Sequence, residues 1–225
     1  MINIAIDGPS GAGKSTVARA VSASLGYIYI DTGAMYRSLA YKAVSLGIDI
    51  SSDTDAVVNM LGTTELRIVY EDGVQHMLID GEDISERIRT PQISLASSAV
   101  AAIPEVRSWL LELQRSMARE NNCIMDGRDI GTSVLPDAEV KIFLTASAEA
   151  RAKRRCDELV AKGEDVSYDD VLKDIVKRDE NDSNRKCSPL KKADGAILVD
   201  TSDMSFDEVV SAIKNIAERV GSKDE

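Results

Sequence analysis

Short apolar runs alternate along the chain with longer segments that have a helical pattern of apolar and polar positions. Five apolar runs stand out, at residues 2–7, 27–31, 123–126, 140–146 and 196–200. Runs of this length are typical of strands buried on both faces of a parallel sheet. Helices are predicted over about 14–25, 33–46 and 147–162, and from residues 91, 104 and 205 onward. This alternation predicts an α/β fold with a doubly wound parallel sheet flanked by helices.

One stretch departs from this alternation. Residues 66–70 and 74–80 alternate apolar and polar positions on either side of Glu71-Asp72-Gly73. Asp-Gly is a favoured two-residue turn, so the pattern predicts a β-hairpin. Because the hairpin lies between helical segments, we interpret residues 60–90 as a small inserted lobe.

The charge balance narrows the choice of ligands. The chain has 38 acidic and 27 basic residues, a formal net charge of −11, so its surface as a whole repels polyanions. Aromatic residues make up only 4% of the chain, which argues against a stacking platform for single-stranded nucleic acid. No nucleic-acid partner is therefore expected. Small phosphorylated ligands in a locally cationic cleft fit this composition better.

The cysteines and the apolar runs indicate the compartment. Cys123, Cys156 and Cys187 follow no disulfide or zinc-site spacing, which is typical of reduced thiols in the cytoplasm. The N-terminal segment lacks the features of a signal peptide, and no apolar run approaches the ~20 residues that cross a bilayer. We expect a cytoplasmic protein with no membrane partner. A monomer is expected too, because no apolar stripe requires a second copy.

A glycine-rich segment follows the first predicted strand. Residues 8–15 match the P-loop pattern G-x-x-x-x-G-K-[ST] and lie between a predicted strand and a predicted helix. Backbone amides of such a loop bind phosphates, while Lys14 neutralises the β- and γ-phosphates and Ser15 is placed to ligate Mg²⁺. The residues predicted to bind the nucleotide are Gly8, Pro9, Ser10, Gly11, Ala12, Gly13, Lys14, Ser15 and Thr16.

P-loops occur in switches, motors and kinases alike. The N-K-x-D and D-x-x-G motifs of regulatory GTPases do not occur in this sequence, and the acidic charge disfavours a nucleic-acid motor. A small-molecule kinase is the better hypothesis, with a non-catalytic nucleotide-binding regulator as the alternative. A kinase whose acceptor is itself a phosphate needs basic residues for that second phosphate.

Eight arginines are candidates for this second phosphate site, and five of them follow predicted strands. The candidates are Arg37, Arg107, Arg128, Arg151, Arg154, Arg155, Arg178 and Arg185. Ligands of open α/β sheets bind beyond the carboxyl ends of the strands, which is where Arg37, Arg128 and the group Arg151, Arg154 and Arg155 fall. A single arginine is mostly a solvated surface residue. Recurrence beyond successive strands favours a phosphate site.

A histidine base is missing from these segments. His76, the only histidine, lies in the predicted hairpin. A phosphate monoester has a second pKa of about 6, so its oxygen is already anionic near pH 7 and needs no base. A hydroxyl acceptor would need one, and Asp31 or Asp129 would then be the candidates. Both classes of acceptor stay open on these grounds.

Five motifs resemble those of the bacterial cytidylate kinases, within the P-loop nucleoside monophosphate kinases. They are DGPSGAGKST (7–16), DTGAMYR (31–37), MDGRDIGT (125–132), RD-x-x-D-x-x-R (178–185) and AD-x-AI-x-x-DTS (193–202). The resemblance covers about residues 2–202 and includes the hairpin. It implies that the γ-phosphate of ATP, bound with Mg²⁺, is transferred to CMP or dCMP.

The same resemblance implies three structural parts. The core would comprise residues 1–31, 119–156 and 193–225. A monophosphate-binding lobe with the β insert would cover 32–118. A mobile helical lid would cover 157–192.

The resemblance also assigns acceptor residues at matching positions. They are Thr32, Tyr36, Arg37, Ser98, Arg107, Arg128, Asp129, Arg178, Asp182 and Arg185. Within this set, Arg37, Arg128 and Arg185 would bind the acceptor phosphate. Asp182 and Arg178 would hold its ribose, and Thr32 and Tyr36 would line the site.

Two further roles follow from the resemblance. The residues expected to neutralise charge during transfer are Lys14, Arg128, Arg151 and Arg185. Asp126, at the end of an apolar strand, resembles a carboxylate that holds Mg²⁺ through a water molecule, next to Ser15.

The resemblance implies that Ser98, Arg107 and Asp129 bind the cytosine base. A carboxylate is a natural acceptor for the cytosine amino group, and Arg107 can donate to the O2/N3 edge. Uracil would leave Asp129 facing a carbonyl oxygen, a mismatch that a buried site rejects strongly. The alternative for Asp129 is a carboxylate that caps a helix or braces a loop.

Overall fold

The computed structural model describes residues 1–221. Its strands are β1 Asn3–Asp7, β2 Ile28–Asp31, β3 Leu66–Glu71, β4 Val74–Ile79, β5 Glu82–Asp83, β6 Cys123–Gly127, β7 Val140–Thr145 and β8 Ile197–Asp200. Five of them form one parallel sheet in the order β2-β6-β1-β7-β8, and β3, β4 and β5 form a separate antiparallel sheet. The predicted parallel α/β sheet is confirmed.

Helices cover the faces of the parallel sheet and continue beyond it. They are α1 Lys14–Leu25, α2 Thr32–Ser45, α3 Thr54–Leu61, α4 Pro91–Val100, α5 Pro104–Glu120, α6 Ala148–Ala161, α7 Tyr168–Ser183 and α8 Phe206–Gly221. A π-helical turn, Ile130–Val134, follows β6. Neither α3 nor this turn was predicted. The first is only eight residues long, and the second has no sequence pattern of its own.

Alternate residues of β1 face two separate apolar layers, because side chains of a strand point to opposite faces. Ile4 and Ile6 pack with α1 and α8 on one face. Ala5 faces the other layer, which α2, α4, α5 and the inserted sheet complete. The central strands are therefore buried on both sides, as their continuous apolar runs indicated.

The predicted hairpin is confirmed as β3 and β4. Its turn residues Asp72 and Gly73 both have positive φ, 50° and 77°, as a two-residue I′ turn requires. The hairpin docks against the free edge of β2. There the Tyr70 hydroxyl donates to the Tyr29 carbonyl (2.9 Å), and the Asp31 amide donates to the Gln75 side chain (2.9 Å).

The charged segment 163–195 contains α7, which packs against α6 and reaches the carboxyl edge of the sheet. A capping box precedes the last helix: the Glu208 amide donates to Ser205 Oγ, and the Ser205 amide donates to Glu208 Oε2. No helix within residues 1–221 is long and apolar enough to span a bilayer.

Candidate active site

A cleft of about 500 Å³ opens at the carboxyl edge of the parallel sheet. The P-loop forms one wall, α2 and α4 form another, and the loop after β6 forms the floor. Residues of α6 and α7 line the remaining side. The cleft lies where open α/β sheets bind ligands, because helix N-termini and loops meet at that edge.

The P-loop has the backbone conformation of a phosphate cradle. Gly8, Gly11 and Gly13 have φ values of 150°, 76° and 88°, which are strained for other residues. A Cβ at Gly8 would lie 1.9 Å from the Leu144 carbonyl oxygen, so only glycine lets this loop pass β7. Gly13 is the N-cap residue of α1. The first backbone amides of this helix and its dipole favour an anion at its N-terminus.

Lys14 and Ser15 follow the cradle at the start of α1. The Lys14 ammonium donates to the Pro9 carbonyl (2.7 Å), and burial, with a smaller effect of Arg128, lowers its pKa to about 7. An anion bound in the cradle would restore the charged form. Ser15 Oγ donates to Asp126 Oδ2 at 2.8 Å.

Ser15 and Asp126 form a pair of hard oxygen donors beside the cradle. Burial raises the pKa of Asp126, and the Tyr29 hydroxyl donates to its other oxygen at 2.9 Å. Clusters of three or more metal-binding side chains are absent from residues 1–221. This donor set fits Mg²⁺, because that ion retains water and takes phosphate oxygens in preference to an all-protein cage.

Three arginines surround one buried carboxylate on the α7 side of the cleft. Asp182 of α7 is 1% exposed and accepts from Arg128 Nε at 2.8 Å and from Arg185 Nη2 at 2.5 Å. Burial opposes its ionisation, but Arg128 and Arg185 outweigh it and hold the pKa of Asp182 below its ordinary value. Burial and the nearby Arg128 lower the pKa of Arg178.

Two arginine nitrogens in this region have no protein partner. Arg37 donates through Nη2 to Asp31 (2.9 Å), while Arg37 Nε and Arg178 Nε are buried without a hydrogen bond to the part of the chain described. Buried donors of this kind are costly unless a ligand satisfies them. Both residues line the cleft, so an anionic ligand there would supply the missing acceptor.

A further ion pair of the cleft joins Arg107 to Asp129. Arg107 of α5 donates to Asp129 and to the Ala101 carbonyl (3.1 Å), and its guanidinium lies 5.5 Å from the Tyr36 ring centre. Burial raises the pKa of Tyr36 to about 12. Asp129 occupies the N-cap position of the π-helical turn but makes no capping bond. Its carboxylate instead points at Arg107.

The three arginines of α6 have different partners. Arg151 is buried and donates to the Ser10 carbonyl (3.0 Å) and to both oxygens of Asp179 in α7 (3.1 and 2.6 Å). Arg154 donates to Thr201, and Arg155 pairs with Glu158 at 2.8 Å. Arg151 thus joins the P-loop to α7.

Most of the predicted site residues line this one cleft. The exceptions are Gly8, Pro9 and Ala12, which belong to the P-loop but do not line the cleft. Sequence reasoning missed several lining residues, namely Gly33, Ser94, Ser97, Ala101, Gly127 and Glu158. It also missed Asp179, although this residue lies within the motif RD-x-x-D-x-x-R. Nothing in the sequence pattern indicated that Asp179 binds Arg151.

The cleft is cationic although the chain is acidic. Its lining contains eight arginines and one lysine, against four aspartates and one glutamate, while the whole chain carries a formal charge of −11. Field lines concentrate in such a cleft, so polyanionic ligands are drawn to it and not to the rest of the surface.

Comparisons with known proteins agree with this geometry. The family model for cytidylate kinase matches residues 4–219. A cytidylate kinase of Carboxydothermus hydrogenoformans is 49% identical over 218 residues, which cover 97% of this chain and 98% of the relative. A cytidylate kinase of Bacillus pumilus is 48% identical over 219 residues, covering 97% of each chain.

One solved structure supports the fold alone. It is an uncharacterized protein from Eubacterium ventriosum, with a TM-score of 0.53, 14% identity, and coverage of 97% of this chain and 99% of that one. The match covers nearly the whole chain, and close to half of the aligned positions are identical, which shows common ancestry with these kinases. The chain belongs to the cytidylate kinase family.

Proposed function

We propose that this protein transfers the γ-phosphate of ATP to the phosphate of CMP and dCMP, forming ADP and CDP or dCDP. The observation that carries the proposal is the single cleft in which a P-loop faces Arg37, Arg128, Arg178 and Arg185. A second phosphate bound by these arginines would lie within the same enclosure as the nucleotide in the cradle. Family membership supports the same reaction.

The acceptor oxygen needs no protein base. His76 pairs with Asp83 in the inserted sheet (2.9 Å) and does not line the cleft. Asp31 and Asp129, the candidates for a base, are each held by an arginine, Arg37 and Arg107. A phosphate monoester near pH 7 is already anionic, so positioning and charge neutralisation suffice.

Several residues neutralise charge at the reacting phosphates. Lys14 follows the cradle, and Arg128 and Arg185 hold the acceptor phosphate, so cations stand on both sides of the transferred group. Arg151 contacts the P-loop at Ser10 and supports the lid through Asp179. Ser15 and Asp126 would hold Mg²⁺, which supplies further neutralisation between the donor phosphates when bound.

The base-binding end of the cleft selects cytosine. Asp129 accepts from the N4 amino group, and Arg107 shifts its donors to the O2/N3 edge, with Ser98 at the same wall and Thr32 and Tyr36 alongside. Asp182 and Arg178 hold the ribose. Uracil would place an acceptor against the Asp129 carboxylate, and the loss of a buried hydrogen bond makes UMP the poorer substrate.

Residues 157–192 act as the lid, 32–118 as the monophosphate lobe and the rest of the chain as the core. Closure over both nucleotides excludes water, which would otherwise accept the phosphoryl group. The acidic exterior and cationic cleft support small nucleotides, not nucleic acid, as partners. The same chain is expected to work as a cytoplasmic monomer.

A coupled ADP-release assay with CMP, dCMP, UMP, AMP, GMP and shikimate tests this function. We expect ADP release that depends on CMP or dCMP and is weak with UMP. Release with another acceptor and none with CMP would identify a different small-molecule kinase. No acceptor-dependent release at all would indicate a nucleotide-binding regulator.

A further inference from the structure

Asp7 is a buried carboxylate that the mechanism proposed above does not use. It is the last residue of β1, directly before the P-loop, and is 2% exposed. Its Oδ1 accepts from the Ile130 amide at 2.7 Å, and its Oδ2 accepts from the Gly131 amide at 2.8 Å. Burial raises the pKa of Asp7 to about 6 despite these hydrogen bonds. A carboxylate that is costly to ionise calls for an explanation.

The two amides belong to the first residues of the π-helical turn 130–134. The first amides of a helical segment have no partner within it, and the N-cap side chain normally supplies one. Here the N-cap residue is Asp129, whose type is among the best for that role. Asp129 makes no capping bond and pairs with Arg107 instead. Asp7 satisfies the amides from a neighbouring strand.

The packing around the turn leaves little freedom. In the sheet Asp7 lies opposite Gly127, four residues before Gly131. A Cβ at Gly131 would lie 3.2 Å from Ala193 and 3.4 Å from Asp7 Oδ2, so the turn packs tightly against both. The charged groups that act on the Asp7 carboxylate are Asp129 and Lys14. Asp7 therefore lies between the donor cradle and the base-reading pair.

We propose that Asp7 is a positioning residue for acceptor selection: it caps the turn 130–134 from β1 and so frees the Asp129 carboxylate to read the base. Without this cap, Asp129 returns to its own N-cap role and binds the amides of the turn. Arg107 then loses its partner, and the site loses its acceptor for the cytosine amino group. This inference rests on the proposed function.

A competing explanation is that Asp7 only supports the P-loop that follows it. The two explanations predict different kinetics. Loss of a P-loop support weakens ATP use with every acceptor alike. Loss of the cap changes the ratio of kcat/KM for CMP to kcat/KM for UMP, because only the base-reading pair distinguishes these acceptors.

The test is Asp7→Asn, which keeps the size of the side chain but turns an amino group toward one of the two backbone donors. We expect the CMP/UMP ratio to fall on the order of tenfold, as the loss of one buried hydrogen bond predicts. The KM for ATP should change by less than about twofold. Because both acceptors are measured on one preparation, any unfolded fraction cancels in the ratio.

A double-mutant cycle with Asp129→Ala gives the decisive reading. If Asp7 acts through Asp129, adding Asp7→Asn to Asp129→Ala leaves the CMP/UMP ratio where the single Asp129 variant put it. Additive losses would overturn the inference, and so would an unchanged ratio in Asp7→Asn alone. A rise in the ATP KM equal to the loss with CMP would favour the P-loop explanation.

Two further variants complete the design. Ile4→Val, in the same strand and fully buried, removes one methylene from the core and should lower the melting temperature without changing the ratio. If Asp7→Asn does not fold, Asp7→Glu offers a longer carboxylate for the same ratio measurement and cycle.

Failure of the wild-type protein to phosphorylate CMP would refute the proposed function. If the wild type phosphorylates CMP but substitution of Asp7 leaves the CMP/UMP ratio unchanged, only the inference about Asp7 is refuted.

Discussion

The two sides of the cleft are built in different ways. The proposed donor side is one continuous segment, residues 8–16, which would bind phosphate mainly through backbone amides and the start of α1. The acceptor side takes side chains from α2, α4, α5, α7 and the loop after β6. Four of its arginines are already paired with carboxylates: Arg37 with Asp31, Arg107 with Asp129, and Arg128 and Arg185 with Asp182. The donor side is thus a local motif, and the acceptor side is a network that exists only in the folded chain.

This difference between the two sides of the cleft predicts different kinetic effects of mutations. In the proposed mechanism, loss of a donor group such as Lys14 affects transfer to every acceptor, because each acceptor needs the same phosphoryl donor. Arg37, Arg107, Arg128 and Arg185 form ion pairs, so removal of one of these arginines leaves a carboxylate without that partner. Variants on the two sides should therefore differ in which kinetic parameter they change.

The largest effect is expected for Lys14→Ala. Loss of a cation at the β- and γ-phosphates should lower kcat/KM by ~10³-fold or more, equally for CMP and UMP. ADP release with each acceptor measures both values. A selective loss with one acceptor would contradict the assignment of Lys14 to the donor side.

Arg185→Ala should come next, with a fall in kcat of ~10²–10³-fold and little change in ATP affinity. Arg185→Lys should restore only part of the rate, because lysine cannot reproduce the planar guanidinium. Arg119→Ala is the matched control, since Arg119 pairs with Glu112 on the exposed face of α5 and does not line the cleft. An unchanged turnover in Arg185→Ala would remove this residue from the acceptor site.

Asp129→Ala should reduce the CMP/UMP preference by ~10–100-fold while the ATP KM stays nearly constant. The expected cause is the lost acceptor for the cytosine amino group, together with an unpaired Arg107. Steady-state kinetics with both acceptors measures the preference. If the preference is retained in full, base reading lies with other residues.

The smallest effect concerns stability. The pKa of Asp7 is raised from 3.8 to about 6, so the folded protein holds this proton more tightly than the unfolded chain. Its contribution to stability is present below pH 3.8 and is lost as the pH rises through about 6. Relative to Asp7→Asn, the wild type should lose about 2–3 kcal/mol between pH 4 and pH 7. Urea unfolding of both proteins across this range tests the sign; a parallel pH dependence would contradict it.

Sequence reasoning identified the P-loop as one contiguous motif and found part of the residues that line the opposite side of the cleft. The P-loop is readable because its residues are contiguous and its strand and helix neighbours are strongly patterned. The β3–β4 hairpin was readable from its turn and alternation. The arginines were found because strand ends converge in a parallel sheet, although their roles there remain proposals.

What the sequence did not reveal depends on contacts between distant segments. The bond between Asp7 and the amides of residues 130 and 131 follows from the pairing of β1 with β6, which no local pattern encodes. The Arg151 to Asp179 pair needs α6 and α7 to lie side by side. Helix α3 was not predicted because its eight residues, which include two adjacent valines, give a weak helical signal.

The docking of the inserted hairpin on β2 also affects whether two molecules can associate through the edge of the parallel sheet. Strand β2 ends the parallel sheet, and unpaired amide and carbonyl groups at such an edge invite a strand from another molecule. Tyr70 and Gln75 occupy two of those groups with side chains, so the insert shields the edge without extending the sheet. A chain shortened by deletion of the hairpin would uncover a template for intermolecular β-pairing and would precipitate for that reason.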